Sequence, residues 1–260
     1  MSVFRPDILA DHVAVITGGG TGICKGIARA YLAHGARVCI TSRKQEVLDA
    51  TVAELAAETG GTIIGHAADV REPEQIQQVV DRTRAHFGKL DTLVNGAAGN
   101  FLAPAAQLSP KGFRTVIEID LLGSFNASKA AFESLCEAGD ALILNITATL
   151  QMHGTPLQVH ASSAKAGLDA MTRNLAVEWG RFGIRCNGIA PGPIGDTEGM
   201  RRLAPPGDLA EKMAKQIPLE RFGTIAEIAD AAVFLRSTAA TYITGAILIV
   251  DGGHCITVPP

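Results

Sequence analysis

Gly18, Gly20 and Gly22 stand at alternate positions between an apolar run and a helical pattern, in the stretch VAVITGGGTGICKGIARAY of residues 13–31. Backbone that carries no Cβ can approach a pyrophosphate closely, and the free N–H groups opening the following helix favour negative charge. Thr17, Gly18, Gly20, Thr21, Gly22 and Ile23 are therefore the candidate residues for a dinucleotide. The spacing departs from the common G-x-G-x-x-G fingerprint, because position 23 is Ile. About twenty residues on, many NAD sites place an acid against the ribose hydroxyls. Here the chain reads Ser42-Arg43-Lys44. A guanidinium beside a hydroxyl suits a 2′-phosphate, so NADPH is expected over NADH. Asp69 is placed either to accept from an adenine amino group or to cap the turn ahead of Pro73.

These residues need elements to hold them, and the hydrophobic pattern supplies an alternation of strand and helix. Short strands are predicted over 13–16, 37–41, 62–66, 92–94, 141–146, 185–189 and 246–250. Between them lie helices over 44–58, 72–87, about 110–136, about 160–181 and 225–235, after the first helix that opens at the glycines. The expected fold class is α/β: one Rossmann-like, doubly wound parallel sheet of about seven strands with helices on both faces. Residues 1–260 are expected to form a single domain, with a helical excursion at about 195–217 covering the substrate. Ligands bind beyond the carboxyl ends of such strands. That directs attention to the loops at 17–22, 42–43, 69–71, 95–101, 147–151 and 191–197.

Composition excludes several classes. A net charge of -3, with both signs interspersed, offers no basic stripe for nucleic acid. Hydrophobic residues make up 47% and mean hydropathy is +0.21, as for a globule with a large core. The five cysteines are scattered with no C-x-x-C pair, which reads as reduced thiols and no metal site. The N-terminal MSVFRPDILADH has neither a signal core nor a transit pattern, and no membrane span is expected. The tail at 257–260 is not a peroxisomal address, so a cytoplasmic location is expected, or a peroxisomal one if residues have been trimmed.

Thr17-Gly18-x-x-x-Gly22, Asp69-Val70, Asn95-Gly96-Ala97-Ala98-Gly99, Lys165 and Pro191-Gly192 occur in the order and at about the spacing of the short-chain dehydrogenase/reductase family. The chain resembles that family over nearly its whole length. The resemblance implies that Val70, Asn95, Ala97, Lys165, Pro191, Gly192 and Ile194 join the glycine turn in holding the cofactor. It also implies a homotetramer, paired through the helices near 110–136 and 160–181. Cys24 departs from the pattern, standing where the family usually has a third glycine. So do Ala161, at the position of the family's tyrosine, Ala148, at that of its serine, and Asp120, at that of its helix asparagine.

Without those hydroxyls, reduction of a carbonyl to an alcohol has lost its customary acid. The stretches AAGNFL at 97–102, NITATL at 145–150, LQVHA at 157–161, AVEWG at 176–180 and PGPI at 191–194 resemble the family's 2,4-dienoyl-CoA reductases, above all the peroxisomal type. That resemblance implies an aspartate and lysine pair, Asp120 and Lys165, polarising a water that protonates carbon, with the Asn100 amide donating to the thioester oxygen. An acyl-CoA substrate needs positive charge for its phosphates; Arg71, Lys111 and Arg202 are candidates, with Arg43 shared between the two ligands. Phe101 is placed to pack on the acyl chain or the adenine. His160 reads as a packing or capping residue.

Overall fold

The structure is a computed structural model and describes residues 3–197, 199–200 and 207–257. Seven apolar runs pair in parallel as one sheet: β1 (Val13–Thr17), β2 (Arg37–Ser42), β3 (Ile63–Ala67), β4 (Thr92–Asn95), β5 (Ala141–Ile146), β6 (Ile184–Pro191) and β7 (Ile247–Val250). Their order is β3-β2-β1-β4-β5-β6-β7. The order reverses where the chain returns from β3 to lie beside β1, so the crevice for a ligand opens between the ends of β1 and β4.

Two helical layers sandwich the sheet. Alternation within each strand serves both: in β1, Ala14 and Ile16 face one core, Val13 and Val15 the other. The first core is closed by α1 (Gly22–Ala33), α2 (Gln45–Thr59) and the helix Ile225–Arg236. The second is closed by α3 (Pro73–Phe87), the helix Gly123–Ala138 and the helix Val159–Trp179.

The helix expected over 110–136 is two helices: α4 (Pro110–Ile117) and α5 (Gly123–Ala138), joined by a π-helical turn, Glu118–Leu122. A π turn admits an extra residue, so the faces of α4 and α5 fall out of phase. Asp120 lies at its centre. Further helices among the described residues are α6 (Val159–Trp179), α7 (Asp208–Lys215), which lies within the excursion, and α8 (Ile225–Arg236).

At the opposite end of the strands from the ligand crevice, Asp91 is 2% exposed and accepts hydrogen bonds from Val13 N at 3.2 Å and Thr92 Oγ1 at 2.8 Å. Arg236 of α8, itself buried, lies 3.6 Å from Asp91 and donates to Thr92 Oγ1 at 2.8 Å. Burial opposes the Asp91 charge, but hydrogen bonding to His12 and the Arg236 guanidinium outweigh it and hold the carboxyl down at about 2.

Candidate active site

Thr21 precedes α1 and its side chain makes no capping bond, which leaves the first-turn N–H groups available to an anion. Gly18 has φ +69°, and a Cβ there would stand 2.8 Å from Gly96 O. Gly22 has φ +56°, with nothing within 4 Å of the Cβ it lacks. A tight turn next to open space at an uncapped helix end fits a pyrophosphate. Gly20 borders the same space, 3.5 Å from Ser42 Oγ when a Cβ is placed on it, and Arg43 beside Ser42 is exposed.

Thr17 and Asn95 act beneath this surface rather than on it. The Thr17 hydroxyl is buried and accepts from Gly96 N at 3.0 Å and Ala97 N at 3.2 Å, tying the loop after β4 to the end of β1. The Asn95 amide donates to Asn145 Oδ1 at 2.9 Å and Ser128 Oγ at 3.1 Å, stitching β4 to β5 and α5. The Asn95 Oδ1 is buried with no partner among the described residues, so its side chain is only partly committed. Val70 packs against Gly123, Gly192 N donates to Val250 O at 3.0 Å after Pro191 ends β6, and Ile194 bridges Gly223.

Asp69 and Arg71, assigned to different ligands from the sequence, meet each other. Arg71 Nε donates to Asp69 Oδ1 at 3.0 Å, its Nη2 to Oδ2 at 2.5 Å, and its backbone N–H to Oδ1 at 3.0 Å. These bonds to Arg71 hold the Asp69 carboxyl below the usual range, against burial. Asp69 thus accepts within its own turn and Arg71 is paired with it. Lys111 is exposed at the start of α4; Arg202 lies outside the described residues.

At the far wall, Asp120 Oδ2 is 3.3 Å from Lys165 Nζ. Its other oxygen, Oδ1, accepts from Gly99 N at 2.7 Å, and Lys165 donates to Ile146 O at 2.9 Å. The π turn aims Asp120 inward, α6 brings Lys165 up from below, and the two are 1% and 8% exposed. Ala161, one helical turn before Lys165, is buried and brings no hydroxyl. Asn100 follows Gly99 and donates one amide N–H to Gln158 Oε1 at 2.5 Å. An amide has two such donors, so one remains for a ligand oxygen. Phe101 is 44% exposed and stacks on His160 with ring centroids 4.4 Å apart. The pair thus presents a fixed charge, a backbone-anchored carboxylate and an amide donor, but no phenol.

Two features were not read from the pattern. Cys24 fills the gap beside Gly96, where a Cβ on Gly96 would lie 2.0 Å from its Sγ, and burial pushes the thiol up to about 12. Gln158 holds Asn100 from a loop that carries no periodic signal. Among the described residues, no group of three or more His, Cys, Asp or Glu is arranged to hold a metal ion, and no helix is long and apolar enough to cross a membrane.

A family model described as enoyl-(acyl carrier protein) reductase matches residues 18–255. The chain is 48% identical over 257 residues to a (3E)-enoyl-CoA-producing peroxisomal 2,4-dienoyl-CoA reductase of Danio rerio, covering 98% of this chain and 85% of that protein. Among solved structures, a short chain dehydrogenase from Bacillus anthracis is 40% identical with a TM-score of 0.85, over 97% of this chain and 100% of the other. A gluconate 5-dehydrogenase from Burkholderia cenocepacia, solved with NADP and tartrate, is 28% identical with a TM-score of 0.90, over 97% and 99%. With the glycine turn, the seven-stranded parallel sheet and the inward-facing Lys165 all in place, the chain is an oxidoreductase and belongs to the short-chain dehydrogenase/reductase family of NAD(P)-dependent enzymes.

Proposed function

We propose that the chain uses NADPH to reduce 2,4-dienoyl-CoA thioesters to trans-3-enoyl-CoA in the degradation of unsaturated fatty acids. The observation that carries this reading is the buried Asp120–Lys165 pair at 3.3 Å in a site where Ala161 and Ala148 bring no hydroxyl. Such a site suits protonation at carbon rather than at an alcohol oxygen. When bound, the reduced nicotinamide supplies hydride, which this substrate takes at its δ carbon.

The chain's own groups manage the charge and the proton. Hydride addition at the δ carbon drives negative charge through the conjugated system to the thioester oxygen. The free N–H of Asn100 donates there as the charge grows. Asp120 and Lys165 orient a water that protonates the α carbon, and the hydroxide left behind takes a proton from solvent. Gly18, Gly22 and the N–H groups opening α1 hold the pyrophosphate, and Ser42 with Arg43 takes the 2′-phosphate. The Asp69–Arg71 pair, Lys111 and Arg202 are assigned to the phosphates of the acyl-CoA.

The same reading includes a homotetramer, supported by apolar side chains left exposed on the helices expected to pair: Leu122 (45%) and Phe125 (43%) on one, Val177 (84%) and Phe182 (38%) at the end of the other. Light scattering at the fourfold mass tests it. The name of the Danio rerio relative places that protein in peroxisomes; a tagged copy of this chain in cells decides between that location and the cytoplasm.

The deciding assay follows NADPH oxidation with trans-2,trans-4-decadienoyl-CoA, beside acetoacetyl-CoA and an NADH control. Rapid loss of NADPH with the dienoyl thioester alone is the expected result. Turnover of acetoacetyl-CoA instead makes the chain a 3-oxoacyl thioester reductase. NADPH binding with no turnover makes it a silent nucleotide-binding regulator.

A further inference from the structure

His160 is 0% exposed, yet among the described residues neither Nδ1 nor Nε2 has a hydrogen-bond partner. Buried polar atoms in folded proteins are paired almost without exception, and one that is not calls for an explanation. Packing does not give it: an apolar ring would stack on Phe101 without leaving two polar atoms unpaired. The adjoining cluster of Val116, Ala161 and Ala164 is apolar and offers the ring nothing.

Its position is informative. His160 directly precedes Ala161, the residue that stands in place of the family's tyrosine. Gln158, two residues earlier, holds the amide of Asn100. The imidazole lies under Phe101, 4.4 Å between centroids and tilted by 35°, and Phe101 is itself 44% exposed beside Asn100. A neutral imidazole carries one N–H donor and one acceptor. An acyl thioester brings its carbonyl oxygen to the same wall.

We propose that His160 is a substrate-binding residue of this site: its ring N–H joins the Asn100 amide on the one thioester oxygen of the acyl-CoA when Phe101 turns aside. The proposal rests on the acyl-CoA reading above and deepens it. In the free protein the imidazole is held ready at a cost in stability, and the ligand supplies the missing partner.

His160→Phe separates this role from packing, because it keeps the stack on Phe101 and removes both nitrogens. The expected result has three parts. The melting temperature rises, the dissociation constant for NADPH is unchanged, and that for decanoyl-CoA, measured by calorimetry as a non-reducible probe, rises about tenfold. KM for the dienoyl substrate rises in parallel, and His160→Gln, which keeps a donor, recovers part of the loss. Unchanged decanoyl-CoA affinity in His160→Phe overturns the proposal, as does a fall in melting temperature with NADPH and thioester binding lost together. Because the calorimetry needs no turnover, a wild-type protein that binds decanoyl-CoA but does not consume NADPH fails the reductase reading and leaves the His160 measurement intact.

Discussion

Cys24 and Gly96 share one space: the Cys24 Sγ on the first turn of α1 lies 2.0 Å from where a Cβ on Gly96 would be. The bulk that the glycine turn gains at position 24 is accommodated by the side chain absent from the loop after β4. Gly96→Ala is therefore expected to destabilise the protein by about 1–3 kcal/mol, the usual result of overpacking. Cys24→Gly leaves a small void, and in that background Gly96→Ala is expected to cost much less. Urea unfolding of the two single variants and the double variant measures this coupling.

Removing the charge of Asp120 while keeping its shape isolates its part in proton transfer. Asp120→Asn is expected to lower kcat by about a hundredfold or more, with NADPH affinity retained. Lys165→Ala removes the counter-charge and leaves a buried carboxylate, so it is expected to lose turnover and about 3 kcal/mol of stability together. Single-turnover kinetics beside thermal melts separate the two variants, and full activity in both would remove the pair from the reaction.

Arg43 is exposed, so solvent weakens whatever it contributes to a 2′-phosphate. Arg43→Ala is expected to raise the dissociation constant for NADPH about tenfold and leave that for NADH unchanged. Fluorescence titration with both nucleotides reads the ratio.

Asp91 makes stability depend on acid. Its carboxyl is held at about 2 in the folded protein, below the ordinary value of 3.8, so between these values the unfolded chain binds more protons. The stabilisation, about 2 kcal/mol, is complete above the ordinary value and is lost as pH falls towards 2. Asp91→Asn is expected to be less stable than wild type at neutral pH, with the difference narrowing in that acid window. Denaturant midpoints across the range test it.

The sheet was legible because its signals are local: an apolar run such as Ala141–Ile146 or Thr92–Asn95, bounded by turn residues, matches its strand to within a residue. The helical run at 110–136 was legible as helix but not as a broken one. A π turn keeps apolar residues on both sides of it and changes only their phase, which a search for a 3.6-residue period does not resolve. Asp120 was found by its place in a family pattern, and its geometry comes from that break. The Asp69–Arg71 pairing joins residues whose types suit several partners, and only the turn that folds Arg71 back onto Asp69 selects among them. The orphan nitrogens of His160 have no signature in the chain, since they are defined by what does not surround them.

The Thr17 hydroxyl, holding Gly96 N and Ala97 N, makes the glycine turn and the loop leading to Gly99 and Asn100 one mechanical piece. Order gained at either end is felt at the other. On the proposed reading, a pyrophosphate at the glycine turn braces the segment that carries the Asn100 amide and, through Gly99 N, Asp120. Linkage of this kind is reciprocal. On the proposed reading, a thioester seated against Asn100 tightens the dinucleotide by the same factor in affinity that the dinucleotide lends to the thioester, and the buried Thr17 hydroxyl lies on the path between them.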